Sequence, residues 1–344
     1  MTEDKNQYLC IIFFVKPYCS FPYDMLTRRQ FRIKVLKAVY AFHQGEGERI
    51  DVAERQLLKS IERIHELYIY QLSLLIDLMD FFKTRLEESK SKYLPTEEDL
   101  NPSTRFIDNM FLSQLASNMH FIKFRNQFKV SWTDETEMIR KFYLAIRESA
   151  FYKSYMLAPE CGYKDDKDVF LHVFNDIIVE STVLQSLYEE KSIYWIDDLE
   201  LANFMVNKTI KGYRASWDSL AELPYVYKSN DEQDLDGDRE FVVRLFRKTI
   251  QNNTELEKMV DQKAHNWDVE RIAIIDVLLL KMALAELLEF PTIPVKVTLN
   301  EYIELAKVYS TPRSNVFING ILDKLILELK ETGRIVKTGR GLME

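Results

Sequence analysis

Only nine glycines and nine prolines punctuate this chain of 344 residues, where a typical globular protein of the same length carries roughly 24 and 17. Glycine and proline stop helices and shape tight turns. Their scarcity argues against a β-sandwich with many turns, a Gly-rich nucleotide loop, and a collagen-like or linker-dominated chain. Long helices are what the composition leaves room for. Apolar residues at 47% and charged residues at 29% are ordinary for a globular protein. The length suggests about two domains, with enough chain to bury sizeable cores without disulfides or metals.

The cysteines agree. Cys10, Cys19 and Cys161 are scattered and form no CxxC pair, so the sequence predicts a reducing, cytoplasmic setting. The net charge of -8 does not advertise nucleic-acid binding, although a sum can hide local patches. No segment has the ~20 apolar residues that a membrane span requires, so no membrane partner is expected. The short apolar run Tyr8 to Val15 lacks the flanks of a secretory signal. Residues 1–24 read as an N-terminal extension, with Met25 a candidate biological start.

Along the chain the apolar spacing is helical. Thr27 can N-cap a first helix to about Gln44, ended by Gly45-Glu46-Gly47. Its broad apolar face is Val35, Leu36, Val39, Tyr40 and Phe42. A long stretch runs from Asp51 to Ser89. Tyr93 to Ser103 reads as a loop, followed by helical pattern over roughly 104–128, 134–157, 166–191 and 197–211. The acidic stretch 229–240 reads as a solvated linker. Helices follow over 241–251, 254–263 and 268–290. Thr298 and Glu301 read as a capping box, after a short extended piece at Val295–Val297. Thr311-Pro312 opens the last helix, closed by Gly333.

Three features invite a chemical reading. Arg28, Arg29, Arg32, Lys34 and Lys37 occur with no acid between Thr27 and Gln44. Cations at a helix start oppose the macrodipole by ~0.3–1 kcal/mol each. A solvated basic end is one reading; relief by an external anion is the other. The helix start at Thr311 to Asn315, with Arg313, could hold a phosphate or be a plain cap. On the helix from Asp268 the charges Glu270, Arg271, Lys281, Glu286 and Glu289 fall within one broad sector, whereas Asp276 lies among Ile272, Leu279, Leu280, Ala283 and Leu287. It is either an internally hydrogen-bonded carboxylate or part of a partner interface. Gly320, within the last helix, would be justified by a close helix–helix approach.

Catalytic and metal constellations are poor. The one E-x-x-H, Glu62 to His65, lacks the second copy that a di-iron bundle requires and reads as a solvated helical pair. HExxH, GxSxG, GxGxxG and P-loop motifs are absent. No enzymatic activity, cofactor or metal is expected.

The C-terminal third carries an ordered string of motifs. Trp267 to Asp276 leads to Lys281-Met282-Ala283-Leu284-Ala285-Glu286-Leu287. Then come Ile293-Pro294-Val295-Lys296-Val297, Asn300-Glu301-Tyr302-Ile303-Glu304-Leu305-Ala306-Lys307 and Phe317-Ile318-Asn319-Gly320-Ile321-Leu322-Asp323-Lys324. This string resembles the transcription antitermination factor NusB family, and Arg28-Arg29-Gln30-Phe31-Arg32 through Tyr40 resembles that family's arginine-rich opening helix. The resemblance covers under a third of the chain. It implies an all-α fold, a NusB-like helical bundle split by a large helical insertion. It also implies binding of boxA RNA in nascent ribosomal transcripts together with NusE, a small-subunit ribosomal protein, in the RNA polymerase elongation complex.

By that resemblance Arg28, Arg29, Arg32, Arg313, Ser314 and Phe317 are the RNA-binding candidates. Tyr40 and Asp276 match the NusE interface. Arg313 stands where the family is often acidic, Gln30 where an arginine is common, and Val316 where a basic residue is common. The implied organisation is an extension at 1–24, a first NusB-like helix at 25–45 and a helical insert at 46–228. An acidic linker at 229–240, the rest of the NusB-like part at 241–333 and a tail at 334–344 complete it. The insert resembles the longer NusB-like proteins of Bacteroidetes-type bacteria. The competing reading is a non-catalytic protein-interaction scaffold whose NusB-like part has lost RNA binding.

Overall fold

A computed structural model describes residues 26–45, 49–90, 93, 101–227, 237–264 and 273–342. The proposed extension, most of the 93–103 loop, the linker up to residue 236 and the expected helix start at Asp268 lie outside the described residues. Those that are described form an all-α structure with no strand among them. No helix among them is long and apolar enough to cross a membrane. The chain divides into two compact units, Met1–Glu54 with Lys228–Glu344, and Arg55–Tyr227.

The first unit is built on α1 (Arg28–Gln44), α10 (Asp238–Gln251), α11 (Asn253–Ala264), α12 (Ile274–Glu289), α13 (Val295–Tyr309) and α14 (Ser314–Glu331). Helix α12 is the hub and touches the other five. Its sequence explains this: Leu278 to Ala285 is buried without a break, and a helix apolar on nearly every side must sit inside. Around it, α1 contributes Phe31, Val35, Leu36 and Val39, while α10 contributes Phe241, Leu245 and Phe246. Helix α14 adds Ile318, Ile321, Leu322 and Leu325 at 3.6 spacing.

The second unit contains most of α2 (Ile50–Lys90). It also holds α3 (Met110–Ser117), α4 (Met119–Gln127), α5 (Thr136–Glu148), α6 (Ala150–Leu157), α7 (Tyr163–His172), α8 (Thr182–Lys191) and α9 (Leu199–Gly212). Leu67, Tyr68, Ile69, Leu72, Leu74, Leu75 and Leu78 are all fully buried, so α2 is the core of this unit. Three stretches expected as single helices are divided by caps. Asn118 accepts from the Phe121 N–H at 2.9 Å, Ser149 from Tyr152 at 3.3 Å and Ser181 from Leu184 at 3.3 Å. A short polar side chain can satisfy a free amide at a helix start, which periodicity alone does not register.

His65 is a correction. The expected solvated pair with Glu62 does not form. His65 is 1% exposed, with ring centroids of Phe124, Tyr225, Tyr68 and Phe128 within 4.4–5.7 Å. Neither ring nitrogen has a well-formed hydrogen bond with a described residue. Burial drives its pKa down to about 3, and the nearby Pro224 carbonyl opposes this only weakly. The imidazole is held as a neutral aromatic filler. Gly320 is another correction, because a Cβ there would meet nothing within 4 Å. No close helix approach explains it.

Candidate nucleic-acid interface

The basic helix start begins with a cap. Thr27 is the N-cap of α1, and its backbone N–H donates to Gln30 Oε1 at 2.6 Å, with the Thr27 hydroxyl on the same oxygen. Gln30, at the position where an arginine resembles the family better, therefore closes a capping box. An arginine could not accept that bond.

Arg32, one turn further on, is not solvated. It is 2% exposed and forms a two-pronged pair with Glu286 of α12, Nε and Nη2 each at 2.7 Å from a carboxylate oxygen. Glu286 has no exposure at all and also accepts from the Thr298 hydroxyl at 2.8 Å and the Tyr302 hydroxyl at 3.1 Å. Four donors thus converge on one buried carboxylate. Burial opposes the charge on Arg32, but Glu286 outweighs it and holds the guanidinium's pKa above its ordinary value. Burial and the Glu286 charge together push the Tyr302 hydroxyl well up.

Arg29 points to a second carboxylate. Its Nε and Nη2 lie 2.9 and 2.8 Å from Glu301 of α13, and Arg32 Nη1 reaches the same group at 3.5 Å. Burial pushes the Glu301 carboxyl up. The Arg29 hydrogen bonds and the charges of Arg32 and Arg29 outweigh it and hold the pKa below the ordinary value. The unfavourable cations at the start of α1 are therefore relieved from within the chain, by acids on two neighbouring helices.

This overturns the capping box expected at Thr298 and Glu301. Helix α13 begins three residues earlier at Val295, with Pro294 as N-cap, and the expected extended piece is its first turn. Proline has a helix-compatible φ and no N–H to satisfy. Thr298 instead donates to Glu286, and Glu301 pairs with Arg29 and Arg32. Sequence reading missed Glu286, Thr298 and Tyr302 as members of this cluster. The available signal is an acid inside Met282–Leu287, which helical spacing places in the same charged sector as Lys281. Lys281 is itself buried, donating to Asn253 Oδ1 at 2.8 Å and pairing with Glu257 at 3.3 Å.

Arg28 is half-buried, its guanidinium 5.0 Å from the centroid of the Phe241 ring, with Arg32 at 5.3 Å from the same ring. Such stacking holds a guanidinium in a fixed orientation. Beside these residues is an open pocket of about 520 Å³, lined by Arg28, Arg29, Glu301, Pro294, Val297 and Arg340 among others.

The remaining candidates lie in two places. Asp276, in the first turn of α12, is 4% exposed and accepts from the buried Ser314 hydroxyl at 2.7 Å. Its other oxygen has no hydrogen-bond partner among the described residues. Ser314 also accepts from the Thr311 N–H at 3.2 Å. The helix proper starts at Ser314, with Pro312 and Arg313 in a preceding turn, slightly later than the sequence predicts. Arg313 is exposed and Phe317 is a core residue, 5% exposed. Tyr40, on the outer face of α1, is 40% exposed rather than part of the apolar face. The described residues contain no group of three or more metal-ligating side chains placed to hold an ion.

Sequence comparison adds a family. The NusB family model matches residues 204–327. The chain is 49% identical over 105 residues to the transcription antitermination protein NusB of Salinibacter ruber, covering 30% of this chain and 66% of that one. It is 42% identical over 106 residues to the protein of that name from Chloroherpeton thalassium, covering 31% and 50%. A third, from Koribacter versatilis, is 37% identical over 100 residues, covering 29% and 68%. The chain thus spans less than two thirds of the first two relatives. No solved structure matches it. Glu286, Glu301, Asp276 and Ser314 fall within the matched span, whereas α1 and its arginines precede it.

Proposed function

This chain belongs to the NusB family, and on that premise we propose that it is a transcription antitermination factor. In this reading it binds boxA-type RNA of nascent ribosomal transcripts together with NusE, within the RNA polymerase elongation complex. The observation that carries the RNA side is the pocket beside the start of α1, where Arg28 and Arg29 line one wall. Guanidinium groups match phosphate oxygens two at a time.

In this reading the three arginines have different tasks. Arg28 and Arg29 line the pocket from partly exposed positions, with side-chain exposure of 38% for Arg29. Arg32, committed to the buried Glu286, acts as a positioning residue that fixes α1 against α12 and α13. Arg313 supplies an exposed cation at the start of α14. Ser314 and Phe317 support that turn from beneath. On the protein side, Tyr40 offers the exposed contact, and Asp276 contributes through its hydrogen bond to Ser314.

The scaffold reading is favoured by one observation: Arg29 and Arg32 are already paired with carboxylates of the same chain, which lowers the charge left for RNA. Affinity for a boxA-type oligonucleotide, measured across salt concentrations with and without NusE, separates the two. The RNA reading expects Arg28→Ala with Arg29→Ala to flatten the salt dependence by about 0.7 per lost phosphate contact on single-stranded RNA. It expects Tyr40→Ala to weaken only the gain that NusE provides. Salt-independent or undetectable binding by the unaltered chain refutes it.

A further inference from the structure

The end of the chain lies beyond the family-matched span, which stops at residue 327. Helix α14 closes at Gly333, whose φ of +65° is the left-handed conformation that suits glycine. The backbone then returns to the C-terminal end of α12. Three anchors hold it there. Lys337 Nζ donates to the Leu287 and Phe290 carbonyls at 3.1 and 2.9 Å. The Thr338 N–H donates to the Pro291 carbonyl at 3.0 Å. Gly341 is packed so tightly that a Cβ would sit 1.9 Å from the Pro291 oxygen.

These anchors bracket the short turn Gly339–Leu342 and deliver Arg340 to the pocket lined by Arg28 and Arg29. The other cations of the tail are already engaged. Lys337 cross-bridges the carbonyls that end α12, and Arg334 pairs with Glu255 at 2.5 Å. Arg340 is exposed and makes no hydrogen bond or ion pair with any described residue. A further guanidinium beside Arg28, Arg29 and Arg32, which also line this pocket, is electrostatically unfavourable unless an anion is shared among them. Glu301, the one acid among the described residues that line the pocket, is already taken by Arg29 and Arg32.

We propose that Arg340 is a third phosphate-contacting arginine of the RNA surface, and that residues 337–342 form a strap whose task is to hold it beside Arg28 and Arg29. The proposal rests on the RNA-binding reading above. The planar fork of an arginine suits backbone phosphate, and a strap fixed at three points removes the entropy that a loose tail would lose on binding.

The test measures the affinity of the full chain for a boxA-type RNA oligonucleotide at several salt concentrations. Arg340→Ala should weaken binding by about five- to ten-fold near physiological salt and reduce the salt slope by about 0.7. Gly341→Ala, which dislodges the strap while keeping every charge, should lose a similar factor. Arg334→Ala removes a cation from the same tail but outside the pocket, and should leave both quantities unchanged. Helical content and Tm of Arg340→Ala should match the unaltered chain, since its side chain is exposed. If the unaltered chain binds with a clear salt slope and Arg340→Ala and Gly341→Ala bind equally well, the strap proposal is wrong and the RNA reading stands. Equal losses for Arg334→Ala and Arg340→Ala would reduce the effect to net charge and also overturn it. If the unaltered chain does not bind, both fall.

Discussion

Removing the charge from Glu286 should destabilise the first unit more than any surface change. Glu286→Gln keeps the shape of the side chain but faces Arg32 with an amide that can accept on one side only. Of the four donors now on the carboxylate, two are Arg32 nitrogens at 2.7 Å and two are hydroxyls at 2.8 and 3.1 Å. The amide can satisfy at most part of this set, and it leaves a guanidinium with 3% side-chain exposure paired only with Glu301 at 3.5 Å. Breaking a buried pair by altering one partner costs about 3–5 kcal/mol. For a unit of this size that corresponds to a fall in Tm of roughly 6–20 °C. Thermal unfolding followed by circular dichroism reads the shift, and hydrogen exchange of the α1 amides localises it. Replacing both partners, Arg32→Met with Glu286→Leu, should recover most of the loss, because the cost lies in a stranded charge. A single variant within about 1 kcal/mol of the unaltered chain would refute the reasoning. So would a double variant as unstable as the sum of the singles.

Two further outcomes follow from buried polar groups. Ser314→Ala removes the one hydrogen-bond donor to Asp276 found among the described residues and should cost about 1–3 kcal/mol in urea unfolding; Ser314→Ala combined with Asp276→Leu should be milder than Ser314→Ala alone. In the second unit, His65 has its pKa depressed to about 3 from an ordinary 6.5, so folding keeps it neutral where the unfolded chain takes up a proton. Its stabilising contribution is complete above pH 6.5 and is lost as pH falls toward 3, at about 1.4 kcal/mol per unit, or about 2 kcal/mol at pH 5. Trp132, Trp195 and Trp217 all lie in that unit, so tryptophan fluorescence during urea unfolding at pH 7.5 and 5.0 measures it. His65→Phe should flatten the difference, and an unchanged pH dependence would remove His65 as its source.

The helical class was legible from residue choice, because too few glycines and prolines were present to stop helices and the apolar spacing repeated near 3.6. The family string from Trp267 to Lys324 and the arginine-rich opening of α1 were legible as well, since both are local patterns. Boundaries set by a single side chain were less so: Asn118, Ser149 and Ser181 divide stretches whose apolar rhythm continues. The site depended on partners distant in sequence. Nothing near Arg32 announces that Glu286, 254 positions away, will bury it, and nothing near Thr298 shows that Pro294 has already begun the helix, freeing Thr298 for Glu286 and Glu301 for the arginines. His65 looked like a surface residue for the same reason, because the rings around it come from α4 and from Tyr225 as well as its own helix. Sequence alone determined the helical class and the family, since helix formation and motif order depend on near neighbours. Which arginines are buried in ion pairs and which stay partly exposed was decided only by tertiary packing, because burial and charge pairing depend on what the fold brings within 3 Å.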